Sequence, residues 1–333
     1  MKNIVVIGGG TGTFTVLSGL KKYPNINLTA IVSMADSGGS NRVIRDEFGL
    51  LPTSDIRQCL LALSPENGDS IWRKLFSYRF DRGVGISGMT FGNLFMAALA
   101  DILGTQQQAI EKTSKIINVK GQVLPVSYKD IHLLAQYETG HKVVGEHYID
   151  EPKHSGSPKI TKLETIPKAK VSPQAQKAIK EADLIILGPG DLYTSVIANL
   201  VIKGVPKAIK ESTAKIVYIV NLMTRWGQTY KFTATNHINE IEKYLKSAKN
   251  KKNIDCIIFN TSPIPANILD IYYKAEKATP VKDDLNKVGD CYKIIKDDLI
   301  SKTKVKKIKS DKLTRSLIRH DSQKLAKKII NLL

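Results

Sequence analysis

The chain alternates short, continuous apolar runs with stretches in which apolar residues recur every three or four positions. Lys2-Asn3-Ile4-Val5-Val6-Ile7 is a short, mainly apolar run rich in β-branched residues and reads as a strand, and 14–20 reads as the helix after it. A second buried run, 28–34, follows at a spacing that predicts a βαβ unit and a parallel sheet. Residues 94–100 are apolar all round and predict a buried helix. The amphipathic stretch 70–80 is expected to put Trp72, Phe76, Tyr78 and Phe80 in the core. Between 122 and 149 the residues suit short strands. A hairpin turn at Gly140-His141 would join 133–138 to 142–149 and set His141 and His147 on one face. The α/β alternation then resumes. Ser172-Pro173 opens a helix, 183–187, 215–220 and 255–261 read as strands, and 291–295 is a late strand. Helices are expected over 236–246, capped by Thr235, over 267–277, and over 322–332, capped by His320-Asp321. The expected fold is α/β, a Rossmann-like doubly wound, mainly parallel sheet with a small β-rich insertion. One domain would span 1–333, with a helical/β insertion around 105–165 and a basic segment over 241–333.

Two strand ends carry glycines into a helix. The first is Gly8-Gly9-Gly10-Thr11-Gly12-Thr13, and the second is Gly188-Pro189-Gly190-Asp191-Leu192-Tyr193-Thr194-Ser195. Such a loop brings bare backbone N–H groups to a bound anion, and the helix N-terminus adds partial positive charge. In a parallel sheet both junctions lie off the C-terminal strand ends, where ligands bind. The next strand ends in Ala35-Asp36-Ser37-Gly38, which would face the same crevice. Asp36 has three readings: a ribose ligand, a carboxylate for magnesium or a nucleophile, or an Asx turn before Asn41. Asp55 and Arg57, at the start of a helix capped by Thr53 or Ser54, either line a site or decorate the helix. Asn93 would sit in the first turn of the helix after Gly92, with an amide able to donate and accept. Asn221 ends a strand in the same way as Asp36. The usual nicotinamide fingerprint needs a small residue at position 13, and Thr13 argues against it.

Charge adds little. The net charge is +19, and 241–333 carries 22 Lys and Arg against 11 Asp and Glu. No arginine or aromatic interleaving supports base stacking, so nucleic acid is not an expected partner. No apolar run approaches a membrane span, and Lys2 runs straight into a strand rather than a leader, so a cytoplasmic protein is expected. Cys59, Cys256 and Cys291 form no CxxC pair, so neither a disulfide framework nor a zinc site is indicated, and no metal ligands are assigned.

Taken together, the first glycine loop, Ser33-Met34-Ala35-Asp36-Ser37-Gly38-Gly39-Ser40, Leu51-Pro52 with Asp55-Ile56-Arg57-Gln58-Cys59-Leu60, Phe91-Gly92-Asn93-Leu94-Phe95, the second glycine junction and Asn221-Leu222-Met223-Thr224 resemble the YvcK/CofD-like family, most closely its YvcK branch of gluconeogenesis factors. The resemblance implies a regulatory protein that binds UDP-sugars of the UDP-N-acetylglucosamine or UDP-glucose class. It also implies a role in cell-envelope morphogenesis during gluconeogenic growth, with a cell-wall machinery protein as partner and a homodimer as a compatible assembly. The alternative is a CofD-like transferase of a phospholactyl group, with Mg2+ as cofactor and Asp36 as catalytic carboxylate. The chain departs from the CofD branch at Gly188-Pro189-Gly190-Asp191 and at Ala35-Asp36-Ser37-Gly38. The ligand is expected on Gly9, Gly10, Thr11, Gly12, Thr13, Asp36, Ser37, Gly38, Asn93, Gly188, Gly190, Asp191, Leu192, Tyr193, Thr194 and Asn221, with Arg315, Arg319 and His320 closing over its phosphates.

Overall fold

The computed structural model describes residues 1–65, 71–246, 253–302 and 317–333. Arg315 and the lysine-dense stretch 303–309 lie outside the described residues. In chain order the elements are β1 (Lys2–Gly8), α1 (Thr11–Leu20), β2 (Ile26–Val32), α2 (Gly39–Phe48), α3 (Ser54–Leu63), α4 (Ile71–Ser77), α5 (Phe91–Leu103), α6 (Gln106–Ile116), β3 (Gln122–Pro125), β4 (His132–Tyr137), β5 (Lys142–Val144), α7 (Glu146–Asp150) and β6 (Ile160–Ile166). They continue with α8 (Pro173–Lys180), β7 (Leu184–Leu187), a π-helical turn (Leu192–Ile197), α9 (Ala198–Leu200), α10 (Val205–Glu211), β8 (Lys215–Ile219), α11 (Ala234–Tyr244), β9 (Cys256–Asn260), α12 (Ala266–Glu276), β10 (Lys293–Asp297) and α13 (Ser322–Ile330).

Seven strands form one sheet in the order β3-β2-β1-β7-β8-β9-β10, and every pairing in it is parallel. This is the doubly wound α/β arrangement that the apolar runs predict. Buried on both faces, its strands need apolar residues at every position rather than at alternate ones, as in Leu184–Leu187, where all four are buried. One core layer packs Val5, Ile7, Ile185 and Tyr218 against α8, α10, α11 and the small sheet. The other packs Ile4, Val6, Ile186 and Ile219 against α1, α3, α5 and α13. Strand order reverses between β1 and β7, the two strands that feed the glycine junctions. Ligands bind at such a switch point in doubly wound sheets.

The β-rich insertion is an antiparallel sheet, β5-β4-β6. It is narrower than the expected 105–165, because α6 and β3 belong to the main layers. The second hairpin strand is also shorter than 142–149. Gly145, at φ 103°, turns the chain from β5 into α7. His147 therefore sits on a helix and shares no strand face with His141, whose ring lies 5.0 Å from that of His154. The helix over 94–100 is buried on one side only, and Ile102 is 76% exposed. Of the aromatics over 70–80, Phe76 is buried, whereas Trp72 and Tyr78 remain on the surface. Thr233, not Thr235, caps α11. Thr233 and Asn236 form a reciprocal capping box, while Thr235 Oγ1 donates to the Asp284 carbonyl. The last strand begins two residues late, at Lys293.

Candidate functional site

The two glycine junctions lie side by side. Gly188 N–H donates to the Ile7 carbonyl (3.0 Å), and Asn199 Nδ2 donates to the Gly8 carbonyl (3.0 Å). A Cβ on Gly12 would overlap the Pro189 carbonyl oxygen, so only glycine lets α1 approach the second junction this closely. Gly190, at φ 151°, turns β7 into the π-helical turn, where the Asp191 carbonyl accepts from both Ser195 N (2.9 Å) and Val196 N (3.1 Å). Single π turns of this kind concentrate at functional sites.

Between the junctions opens a cavity of about 150 Å³. Thr11, Gly12, Gly190, Asp191 and Asn221, all among the residues singled out in the sequence, line it. Arg319 and His320 line it from the far side. They are brought there by an antiparallel bridge between Ile300 and His320, with Ser301 N–H donating to the Arg319 carbonyl (2.9 Å). Asn221 Nδ2 donates to the Gly190 carbonyl (2.7 Å), and its Oδ1 is buried without a partner among the described residues. The His320 ring donates to the Val220 carbonyl, and its Nε2 is likewise buried and unpartnered. Burial pulls the His320 pKa down to about 4, so the imidazole is neutral at physiological pH. His320 is therefore uncharged, and the cations lining the cavity are Arg319 and Arg225, the latter already paired with Asp150 and Glu276.

The remaining expected residues are less available than the sequence suggests. Thr13 is fully buried, with its hydroxyl turned back under Gly8. Leu192, Tyr193 and Thr194 are also buried. Tyr193 Oη donates to the Ile160 carbonyl (3.2 Å), and Gln228 Oε1 accepts from Tyr193 N (3.3 Å). Gln228 Nε2 in turn donates to Asp150 Oδ1 (3.1 Å), which also accepts from Arg225 Nε (3.2 Å), while Arg225 pairs with Glu276 as well. This buried network locks the second junction to the small sheet.

Asp36 forms the Asx turn. Its Oδ1 accepts from Gly38 N (2.9 Å), and its Oδ2 accepts from Asn41 Nδ2. Ser37 Oγ accepts from His147 N (3.2 Å), tying the turn to α7. Asn41 Oδ1 accepts from Ser54 Oγ (2.9 Å), and Ser54 Oγ accepts from Asn93 Nδ2 (3.0 Å). Asn93 Oδ1 accepts from Arg57 Nε (3.0 Å). Asn93 is fully buried with both ends of its amide engaged, so it joins α2, α3 and α5 and presents nothing to the crevice.

This chain of bonds sets the start of α3 and thereby aims Asp55, which local sequence left undecided. Asp55 is buried beside the first glycine loop, and its carboxylate accepts the Gly10 N–H at the N-terminus of α1. Burial, reinforced by the charges of Asp36 and Asp191, pushes its pKa up to about 8, against the opposing pull of Arg57 and the Gly10 bond. The first cradle thus already holds an acid supplied by the protein. Among the described residues no three His, Cys, Asp or Glu side chains converge on a metal position. Asp36 is the acidic side chain of the Asx turn, with one hydrogen bond accepted at each oxygen.

Comparison with known proteins agrees with this architecture. The family model described as 2-phospho-L-lactate transferase CofD matches residues 4–300. The chain belongs to the CofD family. Within that family it is similar to the gluconeogenesis factor of Bacillus subtilis, with 36% identity over 99% of this chain and 98% of the relative. It is 39% identical to the gluconeogenesis factor of Halalkalibacterium halodurans, over 90% of this chain and 92% of that one. The crystal structure of a upf0052 family member from Bacillus halodurans superposes with a TM-score of 0.87 at 36% identity, covering 99% of this chain and all of the other. No helix among the described residues is long and apolar enough to cross a membrane.

Proposed function

We propose that this CofD-family protein binds a nucleotide sugar of the UDP-N-acetylglucosamine class in the crevice at the switch point. In this reading it acts as a cytoplasmic regulator of cell-envelope morphogenesis during gluconeogenic growth, through a protein of the wall machinery. The observation that carries the reading is the cavity between the two glycine junctions, with Arg319 opposite them. About 150 Å³ accommodates a diphosphate but not a whole nucleotide sugar, whose uridine and sugar extend along the open crevice. Arg319 takes the diphosphate in a charge-assisted bond. Asn221 Oδ1 and the neutral His320 Nε2 are acceptors for ribose or sugar hydroxyls. The larger groove of about 910 Å³ between Lys21 and Glu181 lies at the N-terminal ends of β1 and β2, away from the carboxyl ends of the strands where ligands bind in such sheets.

The test is thermal stabilisation by UDP-N-acetylglucosamine, UDP-glucose, GTP and NAD, each with and without magnesium. Ligand at a hundred times its dissociation constant stabilises the fold by about 2.7 kcal/mol. Absence of a shift with every UDP-sugar overturns the proposal. Light scattering with and without ligand tests the homodimer. The second reading is a CofD-like phospholactyl transferase. It is favoured by the family match and by the closeness of Asp36 and Asp55. Transfer to a deazaflavin alcohol, lost in Asp36→Asn, would establish it.

A further inference from the structure

A second concavity, of about 950 Å³, lies between β6, the turn from α9 into α10, and the end of α11, and it shares no lining residue with the crevice cavity. Its floor is apolar, formed by Leu163, Val201, Pro206 and Tyr244. Its rim is basic. Seven lysines line it against two glutamates, and all seven lysines are exposed. The glutamates are already answered, Glu164 by Lys162 (2.9 Å) and Glu211 by Lys180 (2.7 Å), so the excess positive charge around Lys168, Lys203 and Lys246 is uncompensated within the groove. A concave apolar floor ringed by one sign of charge calls for apolar side chains carried on a segment of the opposite sign.

Four occupants are disfavoured on physical grounds. A second copy of this chain brings a net charge of +19 against a basic rim, and the chain's own lysine-rich stretch over 302–309 has the same wrong sign. Strand addition to the outer edge of β6 is blocked, because Leu163 N–H donates to Tyr244 Oη (2.7 Å) and Lys243 Nζ donates to the Thr161 carbonyl (2.9 Å). Nucleic acid supplies the charge but no apolar side chains to fill the floor.

We propose that this groove docks an acidic amphipathic helix of a partner protein, with its apolar residues on the floor and its carboxylates on the lysine rim. The probe is a fluorescein-labelled synthetic peptide with Leu at i, i+3, i+4 and i+7 and Glu at the remaining positions, read by anisotropy against the full chain. Its scrambled isomer and phosphatidylglycerol vesicles form the other arms. The variant is Lys203→Glu/Lys207→Glu, with Lys112→Glu/Lys115→Glu on α6 as a control of equal charge change. Melting curves verify that both remain folded. The expected result is binding of the amphipathic peptide that weakens about tenfold or more in the groove variant and less than about twofold in the control. The scrambled peptide should bind at least about tenfold more weakly than the amphipathic one. Equal binding of the two peptides, or equal weakening by the two variants, overturns the proposal, because either reduces the effect to general attraction. Binding of vesicles without binding of the peptide also overturns it, by making the face a membrane surface.

Discussion

The two glycine junctions repeat one piece of physics with opposite outcomes. Each runs from a buried strand through glycines into a helix, and each aims a helix N-terminus at the same crevice. At the first, the Asp55 carboxylate comes from α3 and accepts the Gly10 N–H, so the cradle is answered from inside the protein. At the second, Gly190 opens onto a cavity with Asn221 on one side and Arg319 on the other. A helix N-terminus is worth about 0.3–1 kcal/mol to an anion at the surface, and somewhat more when partly buried. Asp55, kept protonated near neutral pH by its raised pKa, occupies the Gly10 N–H as a neutral acid, so an anion at the first junction would have to displace that bond, whereas the second junction opens directly onto the cavity. On the proposed reading the second junction is the half of the crevice that faces the anion, with Thr11 and Gly12 of the first junction completing the wall.

Jamming the two junctions together breaks the comparison most severely. In Gly12→Val, branched carbons would lie where the Pro189 carbonyl stands, so the backbone of α1 or of the second junction must shift. The expected cost is about 3 kcal/mol or more, read as a fall in the urea midpoint, with ligand stabilisation lost as well. Next in size is Arg319→Ala. If the second junction alone faces the phosphates, removing the cation opposite it weakens UDP-N-acetylglucosamine by about 2–5 kcal/mol in titration calorimetry. Unchanged affinity would return the phosphates to the first loop.

A smaller effect is expected at the lock of the second junction. Gln228→Ala leaves the buried Tyr193 N–H without its acceptor and Asp150 without one donor, at a cost of about 1–3 kcal/mol. Ligand affinity should fall with stability, because the same bonds hold the π-helical turn against the small sheet. Loss of stability with affinity retained would show that the turn is set by β7 alone.

Each feature was legible in the sequence to the extent that its cause was local. The strands announce themselves as β-branched runs, and the Ser172 and Asp321 caps follow from one residue and its neighbours. Both glycine junctions were visible for the same reason. The occupant of the first was not, because Asp55 arrives from 45 positions away, aimed by Asn41, Ser54 and Asn93 through side-chain bonds that leave no periodic trace. Tyr193 and Thr194 read as polar groups at a helix mouth, and only the presence of Gln228 and Ile160 beneath them turns them inward. Thr235 and Thr233 are equal candidates by type, and Asp284, from a distant loop, decides between them by engaging Thr235.

The finest test of the comparison is the acidity of Asp55. Its folded pKa, near 8, lies above its ordinary 3.8, so in between the folded chain holds a proton that the unfolded chain has released. That contribution to stability is fully present below pH 3.8 and is lost as pH rises through 8. The buried His237 and His320 act with the opposite sign. Lowered from 6.5 to about 4, they contribute stability that is present above pH 6.5 and lost as pH falls through 4. The opposing slopes overlap below pH 6.5. From pH 6.5 to 8 the Asp55 slope stands alone among these three groups, and wild-type stability should fall by about 1–2 kcal/mol across that window. Asp55→Asn keeps the amide oxygen that accepts from Gly10 but cannot ionise, so its denaturation midpoint should stay flat over the same range. An equally steep variant would mean that Asp55 is ionised in the native crevice, and the first cradle would then hold a full internal charge.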